Sequence, residues 1–212
     1  MSIPHFTSLV KEKEFVYFLG FLWADGYISK STNSIEINIT KDDFDILQKP
    51  LSEHIEWNIF HKQRKHDGIP YGKPQIKAQK CMPSLKSFLL EYGYGFKSGG
   101  PPSSILRIIP AFLHHYWWRG YFDGDGSVAI SKNGCKNLAF WSVLSQDWNE
   151  LSQLMKSLDI HFSIYLYERK CGNSSALTIT NKENIIKFGK YLYPEMKYDF
   201  GLKRKFDKFL MM

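Results

Sequence analysis

Apolar positions along the chain follow two arrangements. From Phe15 to Ala24 (FVYFLGFLWA) they run almost unbroken, and a second dense run surrounds WRGYFDGDG at 118–126. Such runs predict helices buried on most sides. Elsewhere the pattern alternates. Ile35, Ile37 and Ile39 are separated by Glu36, Asn38 and Thr40, the period of a strand with one buried face. Phe162, Ile164 and Leu166 alternate in the same way with Ser163, Tyr165, Tyr167 and Arg169.

Placing Gly20 on Gly120 puts Asp25 on Asp125 and Gly26 on Gly126, and the patterns that follow also run in parallel. Each buried helix leads into a hairpin, then a helical stretch (42–55 and 146–160), two further strands and a closing helix. Pro50 sits awkwardly within the first of those stretches, because it removes a donor and crowds the preceding turn. Asn181 offers an N-cap to the last helix. The fold expected is α+β: two pseudo-symmetric α-β-β-α-β-β-α halves at 1–95 and 110–212, joined by a linker at 96–109 that opens with the Gly/Pro/Ser-rich GFKSGGPPSS.

Composition narrows the partners. The 212 residues are 43% hydrophobic and 16% aromatic, enough for a sizeable core. Twenty-eight Lys and Arg against 21 Asp and Glu leave a formal charge of +7, which favours a polyanionic partner. The odd, scattered Cys81, Cys135 and Cys171 have no zinc-ligand spacing and read as free thiols in a reducing, intracellular compartment. The N-terminus has no signal-peptide pattern, and the run ending at Asp25 is too short to span a bilayer. Phosphate-loop, nucleophile-elbow and H-E-x-x-H motifs are lacking.

Gly20 and Ala24 share one helical face, as do Gly120 and Gly124, and small residues at this spacing let two helix backbones approach closely. Packed side by side, the helices would bring Asp25 and Asp125 together at their negative ends. Crowded carboxylates there call for a hard divalent cation.

FLGFLWADG (Phe18–Gly26) and WRGYFDGDG (Trp118–Gly126) resemble the motif of the LAGLIDADG homing endonucleases, in the single-chain form that carries two copies. The resemblance covers nearly the whole chain. It implies a monomeric enzyme that hydrolyses both strands of a long double-stranded DNA target with magnesium or another divalent cation, leaving 3′ overhangs, often as the product of a mobile intron. It also implies that Asp25 and Asp125 are catalytic and hold the metal. The family's basic residue near the metals falls on Lys97 (GFKSGG) and Lys203 (GLKRKFDKF), and a peripheral position on Lys41 and Ser145. Asp123 stands where the first half has Trp23, so it reads as a local or capping carboxylate. His114 and His115, like Phe21, Trp23, Trp117 and Trp118, read as packing residues.

The outward strand faces would form a saddle for the DNA major groove. In the first half the contacts expected are Asn38, Thr40, Asn58, Lys62, Arg64, Gln75, Lys77 and Gln79. In the second they are Ser163, Tyr165, Tyr167, Arg169, Thr178 and Thr180. The alternative function is a non-cleaving binder on the same fold, either an intron RNA maturase or a DNA-binding regulator. Retention of both acids favours cleavage. An intein is disfavoured, because the chain starts at Met1 without a Cys or Ser nucleophile following a splice junction and ends LMM rather than His-Asn.

Overall fold

The computed structural model describes residues 3–63, 65–67, 69–97, 99–168 and 172–212, without the side chains of residues 3, 4 and 65. The predicted Arg64 and Arg169, together with Cys171, lie outside the described residues; Cys81 and Cys135 are free and exposed.

The first half opens with α1 (Ile3–Leu9) and α2 (Lys13–Asp25), the helix of the first motif. It continues through β1 (Gly26–Ile28), β2 (Ser34–Thr40), α3 (Lys41–Ser52) and β3 (Asn58–Lys62). A two-strand ribbon, β4 (Lys65–His66) and β5 (Ile69–Pro70), precedes β6 (Gln75–Cys81) and α4 (Pro83–Glu91). The second half repeats the plan with α6 (His114–Asp125), β7 (Gly126–Ile130), β8 (Lys136–Val143), α7 (Asn149–Ser157), β9 (Ser163–Tyr167), β10 (Ser174–Ile179) and α8 (Lys182–Leu192). A final helix, α9 (Lys203–Leu210), has no counterpart in the expected plan. Inside the segment expected to link the halves, α5 (Ser103–Ile108) buries Ile105 and Leu106. The two sheets are antiparallel and ordered alike, β1-β2-β6-β3 and β7-β8-β10-β9.

Local chemistry explains the boundaries. Thr40 ends β2 and caps α3, its hydroxyl accepting from the Asp43 N–H at 3.4 Å. Asn181 caps α8 by accepting from the Asn184 N–H at 3.0 Å. Pro50 is accommodated in the last turn of α3 and does not break it.

The centre is the crossing of α2 and α6. A Cβ on Gly20 would stand 1.9 Å from the Trp117 carbonyl oxygen, and one on Gly120 would stand 2.1 Å from that of Tyr17. One turn later, a Cβ on Gly124 would meet the Ala24 methyl at 2.2 Å. The small residues are therefore imposed by backbone contact. Around this seam Phe21, Trp23, Trp117 and Trp118 are all buried, as the packing reading expected. Ile35, Ile37 and Ile39 face the same core. The outermost strand of the second sheet departs from the expectation. Ile164 and Leu166 lie on the core side of β9 but are 43% and 67% exposed, because no described residue covers them at that edge.

Candidate nuclease centre

The close crossing carries the motif helices to a common end, where Asp25 and Asp125 are the last helical residues and β1 and β7 begin. Burial pushes the Asp125 carboxyl up to about 7, and the neighbouring negative charge of Asp25 pushes in the same direction. Lys97 and Lys205 oppose both effects. The Asp25 carboxyl keeps an open solvent face, yet the protein packed on its other sides also raises its pKa. Among the described residues Lys97 and Lys205 are the charges that favour ionisation of the two carboxyls, and both pKa values stay raised despite them.

Those lysines hold corresponding places. Lys97 Nζ donates to the carbonyls of Leu22, Ala24 and Gly26 at 3.1, 2.9 and 2.5 Å. Lys205 Nζ donates to those of Phe122, Asp123 and Gly126 at 2.8, 2.6 and 2.6 Å. Each ammonium thus binds carbonyls at the C-terminus of one motif helix, where a positive charge is favoured. Burial lowers both pKa values to about 8, against the pull of the nearby aspartates.

The expected basic residue Lys203 is not at the centre. It is exposed and pairs with Asp207 one turn along α9. The correction follows from helix phase. Leu202, Lys205, Phe206 and Phe209 form the buried stripe at i, i+3, i+4 and i+7, and Lys203 points away from it. That stripe is present in GLKRKFDKFL and was the signal to use.

Asp123 does not cap its own helix. Its buried carboxylate accepts from the Tyr17 hydroxyl at 2.7 Å and from the Leu202 N–H at 2.8 Å. It thereby ties α2 to the segment that leads into Lys205. The adjacent turn is fixed by Arg119, buried in α6, which donates to Leu192 O at 2.9 Å and to Asp199. A further cross-half tie, which the sequence did not announce, is the two-pronged pair of Arg204 with Asp43 at 2.8 and 2.7 Å. Burial alone would raise the Asp43 pKa, but Arg204 outweighs it and holds the carboxyl below its ordinary value. Beside Asp25 these groups line a polar cleft of about 160 Å³. Lys41 and Ser145 are both exposed, and Ser145 shares with Lys97 the rim of a larger cleft of about 740 Å³.

The strand faces gather most of the residues expected to meet DNA. Pairing aligns Glu36, Gln79 and Asn58, then Asn38, Lys77 and Phe60, then Thr40, Gln75 and Lys62, in rows across one face of the first sheet. Asn38, Asn58 and Lys62 are exposed, and Gln75, Lys77 and Gln79 are half-buried. Lys77 pairs with Glu36 at 2.8 Å, and the Gln79 amide donates to Ser34 Oγ at 2.6 Å. On the second sheet Ser163 and Tyr165 are exposed, Tyr167 is half-buried and Thr180 is exposed just beyond β10. Thr178 departs from expectation. It lies on the outward side but is buried between flanking strands, its hydroxyl 3.5 Å from Ser163 O.

Comparison with known proteins agrees with this architecture. Residues 113–193 match the family described as the LAGLIDADG-like domain. No curated protein matches the chain by sequence. Among solved structures, the homing endonuclease I-WcaI bound to its DNA recognition sequence superposes with a TM-score of 0.56 at 16% identity, over 92% of this chain and 90% of its own. I-DmoI in complex with DNA and Mn gives 0.53 at 13% identity, over 85% and 97%. Full-length DUF199/WhiA from Thermatoga maritima gives 0.55 at 15% identity; all of this chain is covered, and it spans 66% of that protein. Among the described residues no helix is long and apolar enough to cross a membrane.

Proposed function

With a LAGLIDADG-like domain at 113–193 and the LAGLIDADG homing endonuclease fold across both halves as the premise, we propose that the protein is a site-specific, divalent-metal-dependent DNA endonuclease. It would act as a monomer, cut both strands of a long duplex target and leave 3′ overhangs. Magnesium is the metal proposed, and a mobile intron the genetic setting.

The observation that carries this reading is the Asp25–Asp125 pair. At the ends of abutting helices, burial raises the cost of ionising both carboxylates, and the Asp25 charge adds to that of Asp125; a partner of positive charge makes the arrangement favourable. Oxygen donors of this kind fit Mg²⁺ or Ca²⁺. Among the described residues no cluster of three or more His, Cys, Asp or Glu forms a complete metal cage. This suits an ion shared with substrate phosphates. When bound, the metal would stabilise charge on the phosphate and acidify water.

The chain's own residues do the rest. Asp25 and Asp125 would hold the ions, each orienting one strand's phosphodiester. Lys97 and Lys205, fixed by three carbonyls each, place positive charge beside the reacting group without reorganisation. The first-sheet residues Asn38, Asn58, Lys62, Gln75, Lys77 and Gln79 would contact base edges and phosphates. The clustering of polar groups on this face, beside the dyad, supports that assignment.

The test is cleavage of a randomised duplex library with magnesium, followed by sequencing of the ends. Discrete double-strand breaks lost in both Asp25→Asn and Asp125→Asn support the proposal. Full cleavage by either variant would remove the shared-dyad mechanism. The second reading is a non-cleaving binder of DNA or intron RNA on the same fold, since fold alone does not fix function. Specific retention of nucleic acid without cuts under several divalent metals would favour it.

A further inference from the structure

The two sheets have the same topology, and among the described residues only the first carries charges on its outward face. In the second sheet, register puts Ser127, Ala139, Thr178 and Ser163 in one row, Trp141, Ala176 and Tyr165 in the next, and Val143, Ser174 and Tyr167 in the third. Trp141, Val143 and Tyr165 are 38%, 46% and 49% exposed. Trp141 and Tyr167 pack with ring centroids 5.3 Å apart, and Tyr165 and Tyr167 at 6.3 Å. No described residue on this face is charged. The matching face of the first sheet carries Glu36, Lys77 and Lys62 beside the exposed rings of Tyr27 and Phe60. The aromatic strip is continuous with the candidate centre, because β7 begins directly after Asp125 and its Ser127 pairs with Ala139, two residues from Trp141.

We propose that the two halves read duplex DNA by different chemistry, the first sheet by hydrogen bonding and the second by apolar contact of Trp141, Tyr165 and Val143 with thymine methyl groups. The inference rests on the DNA-binding reading above. In the major groove thymine alone offers a methyl group, and apolar side chains recognise it by contact. Single-stranded nucleic acid fits the strip less well. Stacking platforms need separated rings, whereas these rings pack on one another. The half-site under the second sheet is therefore thymine-rich, and the target is asymmetric in composition.

The test uses the full-length Asp25→Asn protein to select bound duplexes from a randomised library in calcium buffer. Enriched sites are then resynthesised with deoxyuridine in place of thymine, one position at a time. The expected result is a thymine-rich half in which each lost methyl weakens binding by about fourfold, with no such penalty in the other half. Trp141→Gln and Tyr165→Gln, both at exposed positions, should erase the penalty and leave the discrimination made by the other half-site intact. Equal penalties in both halves, or none, would overturn this inference alone. Preferential capture of single strands would overturn it in favour of stacking. If no duplex is enriched, the DNA-binding reading falls and this inference with it.

Discussion

Lys97 and Lys205 take the same place against the two motif helices: each ammonium is held by three main-chain carbonyls at the C-terminal end of one of them. Lys97 comes from a turn and Lys205 from the first turn of α9, so the equivalence lies in space and not in local structure. The two charges oppose the rise in both carboxyl pKa values without cancelling it.

Lys205→Met should therefore impair cleavage, whereas Lys203→Met should not. Removing one fixed charge from a reacting phosphate costs on the order of a hundredfold in rate, while Lys203 is spent on a surface pair with Asp207. Single-turnover kinetics on a selected target measures both, with circular dichroism confirming the fold. Equal loss in the two variants would remove Lys205 from its assigned place.

Gly20→Ala should destabilise the whole molecule. Its methyl would stand 1.9 Å from a main-chain oxygen, and backbone has no rotamer with which to yield. Overpacking of this kind costs about 1–3 kcal/mol or more. Gly100→Ala is the control, its nearest neighbour being 3.5 Å away. Thermal unfolding should show a drop of several degrees for the first variant and almost none for the second.

Metal-free stability should fall as pH rises from about 4 to beyond 7. The folded-state pKa of Asp125 is raised to about 7, so its stabilising contribution is complete below the unfolded value and lost on rising through the folded one. Asp125→Asn should flatten that slope. Added calcium should raise the melting temperature more at pH 8 than at pH 5, since the ion needs the ionised carboxylate. A melting profile for the wild type that matches Asp125→Asn at every pH would contradict the assigned shift.

Arg204 and Asp43 should couple across the two halves. The pair is bidentate and Asp43 is mostly shielded, but Arg204 is 55% exposed, so a double-mutant cycle should return about 1 kcal/mol. Zero coupling in urea unfolding would show the pair to be incidental.

The sequence by itself determined the duplication, the motif helices and the inward faces of the inner strands. These follow from short-range periodicity: 3.6 or 2 residues per repeat, closed by Asp-Gly in both copies. It also announced the close helix crossing, because Gly20, Ala24, Gly120 and Gly124 have the spacing that backbone contact requires. The stripe in GLKRKFDKFL marks Lys205 as the inward lysine of KRK, but the tertiary structure alone decided that it meets the carbonyls of Phe122, Asp123 and Gly126. The partners of Asp123, at Tyr17 and Leu202, are separated from it by 106 and 79 residues, beyond any local pattern. Burial of Thr178 and exposure of Leu166 were likewise set by neighbouring strands and an uncovered edge. Alternation fixes the side of a sheet on which a residue stands; only packing decides whether anything covers it.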